Sequence, residues 1–329
     1  MNRRGQRALS VAAALGGAAL FAYSVERAGL SEILDAVQRV GWGLLLILAL
    51  AGLRFAVRAE CWRWCLPPRT SFPLRRALAA FLAGDAVGNI TPLGLLASEP
   101  TKVLLTRHHL ATRESIASLA VENLVYAASV VAMVGVGLVV VAVNVPMPAE
   151  WKLALIGALI AMAAGGLIAL RAMRSSWDTN RGARPQWRER LASIRDEAVL
   201  FSGGHPERLW RVFALDLVFH ALAVVEVYIT LEWLLVDRSP TLVEAIAFEA
   251  LNRVITAAFK FVPFRVGIDE ASAGALAPVL SVNPAAGVAL AVVRKVRNLL
   301  WSAIGLVLVA LHPAEQHEGR IASEPPPRV

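Results

Sequence analysis

Two stretches of this sequence set ionisable side chains into apolar surroundings, each around a proline–glycine break. The first carries Asp85, Asn89 and Glu99 around Pro92 and Gly94, with Lys102 just beyond. The second carries Glu249, Arg253, Lys260, Arg265, Asp269 and Glu270 around Pro263 and Gly267. Glu122 and the run Arg294, Lys295, Arg297 lie within other apolar segments. A charged side chain at bilayer depth costs about 2.5–3.5 kcal/mol on insertion scales, so each of these is a functional candidate.

Spacing suggests what they do. Glu249 and Arg253 are four residues apart and share a helix face as an ion pair. Arg294 and Arg297 share a face that Asn298 completes. Together with Lys295 and Arg265 they exceed the charge that Asp269 and Glu270 can neutralise. A surplus of positive charge beside a broken helix suits a phosphate group, which also gains from helix N-termini. The substrate-binding set read from the sequence is therefore Asn89, Glu99, Arg265, Asp269, Glu270, Arg294, Arg297 and Asn298, with internal charge pairing as the alternative. Glu122 and Glu270 are proton-relay candidates.

Other polar residues carry plainer expectations. Arg54 and Arg58 align near the end of an apolar run, where snorkelling to the interface is expected. His220 and Glu226 are expected to make structural hydrogen bonds. Cys61 and Cys65 have no accompanying histidine or second cysteine pair, so packing rather than metal binding is expected. No metal or other cofactor is expected.

These groups must be held by membrane helices. The chain has 329 residues, 57% of them hydrophobic and 18% charged, and a mean hydropathy of +0.58. A soluble chain of this size needs more polar surface. Apolar runs at about 8–25, 40–57, 115–144, 151–171, 209–236 and 285–311 predict six spans of the roughly 20 residues a bilayer requires. Gly29–Val40 reads as an amphipathic interfacial stretch. Arg3, Arg4 and Arg7 precede the first run, which reads as a retained span with its N-terminus cytoplasmic rather than a signal peptide. The arginine-rich segment 172–208 is expected to be cytoplasmic as well. The net charge of +8 then belongs to cytoplasmic loops and anionic headgroups rather than to nucleic acid. A single membrane domain is expected over 1–311, with a short polar, disordered tail over 312–329.

Residues 77–105 and 244–281 do not fit plain spans. Each has apolar arms flanking a break, and irregular backbone at membrane depth is tolerated only under cover of protein or a water-filled cavity. The fold expected is all-α, with about six transmembrane helices plus two re-entrant helical hairpins. The breaks resemble each other: Pro92 and Pro263 each precede a glutamate by seven residues, Glu99 and Glu270. Later in each half comes a charged residue followed by Asn-Leu, in Glu122-Asn123-Leu124 and Arg297-Asn298-Leu299. The expected topology brings the hairpins in from opposite faces, the pattern of an inverted-repeat transporter.

Absent motifs narrow the function. No phosphate-binding Gly-x4-Gly-Lys-Ser/Thr loop, zinc-binding His-Glu-x-x-His or Gly-x-Ser-x-Gly elbow occurs. A non-enzymatic role is expected. An enzyme would have to work with Glu99, Asp269 and Glu270 as acid–base groups, and a scaffold for lipid biosynthesis is the third reading.

At Arg58–Trp64, at Asn89-Ile90-Thr91-Pro92-Leu93-Gly94 with Glu99, at Val262–Glu270 and at Arg294–Gly305, the chain resembles the lysylphosphatidylglycerol synthase transmembrane-region family, also described as flippase-like. The resemblance runs over about residues 10–311. It departs at the second break, where the family's Pro-Gly-Gly-x-Gly-x-x-Glu gives way to Pro263-Phe264-Arg265-Val266-Gly267, and at Ala97-Ser98-Glu99 in place of Gly-Gly-Glu. Fewer glycines leave less room for close backbone approach. Some members move a lipid made by an attached soluble aminoacyl-transferase domain. The resemblance implies the membrane half: translocation of a phospholipid or lipid-linked anionic compound across a bacterial inner membrane. The partners expected are anionic membrane lipids, with a second copy or a lipid-synthesis enzyme as further candidates.

Overall fold

The computed structural model describes residues 38–91, 94–146, 148–150, 204–235, 237–259 and 262–321, together with residue 35 and scattered positions between 152 and 165. Among these the fold is all-helical. The elements are α1 (Gly43–Cys65), α2 (Leu74–Ile90), α3 (Gly94–Thr106), α4 (Thr112–Asn144), α5 (Pro206–Leu234), α6 (Leu242–Ala258), α7 (Ile268–Leu276) and α8 (Pro284–Ile321). Short 3-10 turns occupy Pro263–Arg265 and Ala277–Leu280. The expected spans at 8–25 and most of 151–171, the bulk of the 172–208 segment, Pro92 and Lys260 lie outside the described residues.

Local chemistry sets the breaks. Thr91 ends α2 in an extended conformation (φ −89°, ψ 140°), as steric conflict with the ring of Pro92 demands. Thr241 and Glu244 close a capping box at the start of α6. In the second break Phe264 and Arg265 both sit at φ +48° and Gly267 at +81°. From Gly267 the chain enters α7, whose Glu270 accepts a hydrogen bond from the Gly267 N–H at 2.9 Å.

Two of the described helices, α4 with 33 residues and α5 with 29, are long and apolar enough by themselves to cross a membrane. The helices flanking the breaks are shorter: α2 and α6 have 17 residues each, α3 has 13 and α7 has 9. At 1.5 Å per residue the 17-residue helices reach only about 25 Å, short of a ~30 Å hydrocarbon core. The last helix continues to Ile321, into the segment read as a polar tail.

The described elements form two sets in the same order: a long helix, a 17-residue helix, a break, a short helix and another long helix. The sets are α1–α4 and α5–α8. Packing is reciprocal: α1 lies along α5, α8 packs on α2, and α4 packs on α6. Matching glycines make the crossings close. Gly305 of α8 sits against Leu82 and Ala86 of α2, and Gly137 of α4 against Ala250 of α6, each leaving no room for a Cβ. The two breaks also touch, because Ile90, Phe264 and Leu299 form one buried cluster.

Polarity is turned inside out. Arg58, Lys102, Glu122, Asp216, Glu226, Glu249, Arg253 and Lys295 are buried, while Leu45, Leu53, Val136, Val143, Val225 and Val307 are exposed. Water would favour the opposite arrangement. A bilayer, which solvates apolar side chains and penalises bare charge, favours this one.

Candidate functional site: a buried arginine–glutamate network

The centre of the molecule holds two Arg–Glu–Arg triads. In one, Glu226 of α5 accepts from Arg54 of α1 at 2.9 Å through one oxygen and from Arg297 of α8 through the other. In the second, Glu249 of α6 accepts from Arg253 Nε one turn on at 2.7 Å, and from Arg294 of α8 at 2.7 Å. The Phe219 ring of α5 bears on both triads, its centroid 4.5 Å from the Arg54 guanidinium and 5.1 Å from that of Arg253. Arg54 lies within electrostatic reach of Arg253, Arg297 and Glu249, so the triads act as one charged body. Two side chains orient it: Tyr126 Oη accepts from Arg253 at 3.1 Å, and Asn298 Oδ1 accepts from Arg297 at 2.8 Å.

A second cluster lies beside it. Arg58 of α1 pairs with Glu122 of α4 at 2.7 Å and with Asp216 of α5 at 3.3 Å, while its guanidinium covers the Tyr126 ring at 3.6 Å. The Cys61 thiol points to Asp216 Oδ1 at 3.6 Å. Both cysteines are buried against Val121 and Val212. Among the described residues no group of side chains has the arrangement of a metal site.

Arg54 and Arg58 therefore correct the snorkelling expectation: Arg58 is buried, Arg54 is 11% exposed, and both are ion-paired inside the helix bundle. The reason is the length of α1, which runs on to Cys65 and buries Trp62 and Cys65 beyond them. Glu226 does make hydrogen bonds, and both come from arginines, Arg54 and Arg297. His220 does make a structural contact, 3.1 Å from Ser129 Oγ. The Glu249–Arg253 pair forms as its spacing predicts.

The other candidates fall around this centre. Glu270 takes Lys295 on one oxygen and the Gly267 N–H on the other. Arg265 and Asp269 pair at 3.0 Å. Asp269 and Arg294 line one small cleft, together with Asn252 and Ser272. Asn89 donates to Asp85 at 2.8 Å, and Asp85 lies within electrostatic reach of Lys102, Arg265 and Arg297. Arg294, Arg297 and Asn298 are thus brought into one site, with the second break against it. Glu99 is held elsewhere, by Lys102 at 2.8 Å. It lines an apolar cleft of about 540 Å³ between α3 and α4, beside Val103, Leu104, Ile116 and Leu119.

Sequence spacing did not single out Arg54, Asp216 or Glu226 as partners in a charge network. Their signal was present, since all three are ionisable residues within apolar runs.

An apolar exterior around an ion-paired interior defines a helical membrane protein. The chain matches the family described as Lysylphosphatidylglycerol synthase TM region over residues 8–305, which include both breaks and every residue of the network, and it belongs to that family. Comparison with curated proteins returns no match, and neither does comparison with solved structures.

Proposed function

We propose that this protein is a lipid translocase of a bacterial inner membrane, moving a phospholipid or lipid-linked anionic compound between leaflets. Six spans and two re-entrant hairpins, entering from opposite faces, carry it, with the N-terminus cytoplasmic. The observation that supports this most is the pair of buried Arg–Glu–Arg triads, in which four guanidinium groups face two carboxylates. Guanidinium groups clustered away from water offer an anion bidentate, charge-assisted hydrogen bonds. The helical breaks at its edge provide polar backbone where a headgroup would pass. Acyl chains remain in the bilayer. The lipid gradient, the membrane potential or protons supply the driving force.

The test is headgroup accessibility of a fluorescent phosphatidylglycerol in proteoliposomes. Wild type is expected to move it, Arg297→Ala to stop that movement while still being expressed and inserted. Transfer that survives Arg297→Ala removes the binding role of the network. Chemically altered lipid recovered from the vesicles would instead favour an enzyme.

A further inference from the structure

We infer that the cleft between α3 and α4 seats one acyl chain of a lipid from the leaflet on the Arg107 side. That the seated lipid is cargo rests on the translocase reading; the seat itself comes from the geometry. The cleft holds about 540 Å³, within the range of ligand pockets. Its walls are apolar, Val103 and Leu104 from α3 and Ile116, Leu119 and Ala120 from α4, and its polar residues stand at the ends. Arg107 and Thr112 mark one end, Glu99 and Asn123 the other. At 1.5 Å per residue these ends lie about 12 Å apart along α3 and about 16 Å apart along α4. The hydrocarbon of one leaflet is ~15 Å deep. Glu99 has its charge met by Lys102 at 2.8 Å, and its other oxygen is buried rather than open to the cleft. Leu104 and Ile116 are exposed, so the cleft opens sideways onto the bilayer and a chain within it stays in the hydrocarbon layer. An apolar gap left empty forfeits the dispersion contacts of its walls, and lipid tails are the apolar matter that surrounds it.

The matching place in the second set is closed. Gly274 and Gly287 bring α7 directly onto α8, where neither has room for a Cβ unless its neighbours shift. Lys295 of α8 then reaches Glu270 of α7. Counted back from Asn123 and Asn298, Ala120 holds the place of Lys295, and it lines the cleft as Glu99 does. A methyl group thus stands where a long side chain ties the second pair of helices together. The opening follows from residue choice in one half, not from the fold the halves share.

The experiment is photolabelling of the full chain in phosphatidylglycerol vesicles. The probe is a phosphatidylglycerol with a diazirine at the end of one acyl chain, and adducts are mapped by mass spectrometry as probe content rises. Adducts on Val103, Leu119 or Ala120 are expected to saturate, whereas those on Val136 and Val143, exposed elsewhere on α4, rise in proportion to the probe. Ala120→Trp, which fills the cleft, is expected to lower the cleft adducts about tenfold and to leave those on Val136 and Val143 unchanged. Cleft adducts that rise in proportion to the probe overturn the inference, because the cleft is then ordinary lipid-facing surface. Their absence beside labelled Val136 and Val143 also overturns it, and gives the cleft to another part of this chain, such as residues 8–25. Both outcomes are read on wild type and need no variant to fold. Saturable labelling of a protein that moves no lipid keeps the acyl-chain seat and removes the translocase reading. Transfer of phosphatidylglycerol without saturable labelling does the reverse.

Discussion

Arg58 of α1 and Glu122 of α4 meet in a 2.7 Å ion pair, and the matching helices of the second set repeat that pair with its charges exchanged, Glu226 of α5 against Arg297 of α8. Each half thus ties its first helix to its last by one buried carboxylate and one guanidinium. The exchange of sign means the two centres differ in charge. Arg58 serves two carboxylates, Glu122 and Asp216, whereas Glu226 serves two arginines.

That asymmetry orders two substitutions at the first centre. Arg58→Ala leaves Glu122 and Asp216 buried without a cation, and loss of one partner of a buried pair costs about 3–5 kcal/mol. Glu122→Gln leaves Arg58 with Asp216, one against one, and is expected to be much the milder change. Thermal unfolding in detergent checks the order. Should Glu122→Gln prove the more damaging, the pairing at Arg58 is wrong.

The reciprocal glycine crossings make a second prediction. Adding a side chain at Gly305 or Gly137 forces α8 from α2, or α4 from α6, and overpacking typically costs about 1–3 kcal/mol. Gly305→Val and Gly137→Val are both expected to lower stability by that amount. Gly157 has nothing within 4 Å of an added Cβ among the described residues, so Gly157→Val serves as the control. A tolerated Gly305→Val would mean that α8 does not lie on α2 at this crossing.

Much of the skeleton was legible in the sequence because its signals are local. Pro92 forces Thr91 out of the helix, and the residues from Pro263 to Gly267 break the second helix pair, so both interruptions show in residue type alone. Ionisable residues within apolar runs marked Glu122, Glu249, Arg253, Arg294 and Arg297. Pairing was not legible. Arg54 meets Glu226 across 172 residues of chain, and only the packing of α1 along α5 brings them together. Arg54 and Arg58 read as interfacial because their apolar run fades near residue 57, while the helix itself continues to Cys65 through residues that bury against α2, α4 and α5. The matched Glu122-Asn123-Leu124 and Arg297-Asn298-Leu299 carry opposite charges for a reason visible only in three dimensions: their partners are exchanged too.

The second break carries the last prediction. After Pro263 the backbone is left-handed at two residues that carry a side chain, Phe264 and Arg265, both at φ +48°. For a residue with a Cβ this conformation costs roughly 1–2 kcal/mol. Phe264 is anchored in return by burial against Ile90 and Leu299, whereas Arg265 has its Asp269 pair at the edge of the site. Arg265→Gly removes that pair and the strain together, so its stability is expected to stay within about 1 kcal/mol of wild type. Arg265→Val removes the pair and increases the strain, because a β-branched side chain is poorly tolerated at positive φ. The glycine variant is therefore expected to be the more stable of the two by at least about 1 kcal/mol in thermal unfolding. Two variants of equal stability would mean that Arg265 is not held in this conformation and carries no backbone strain.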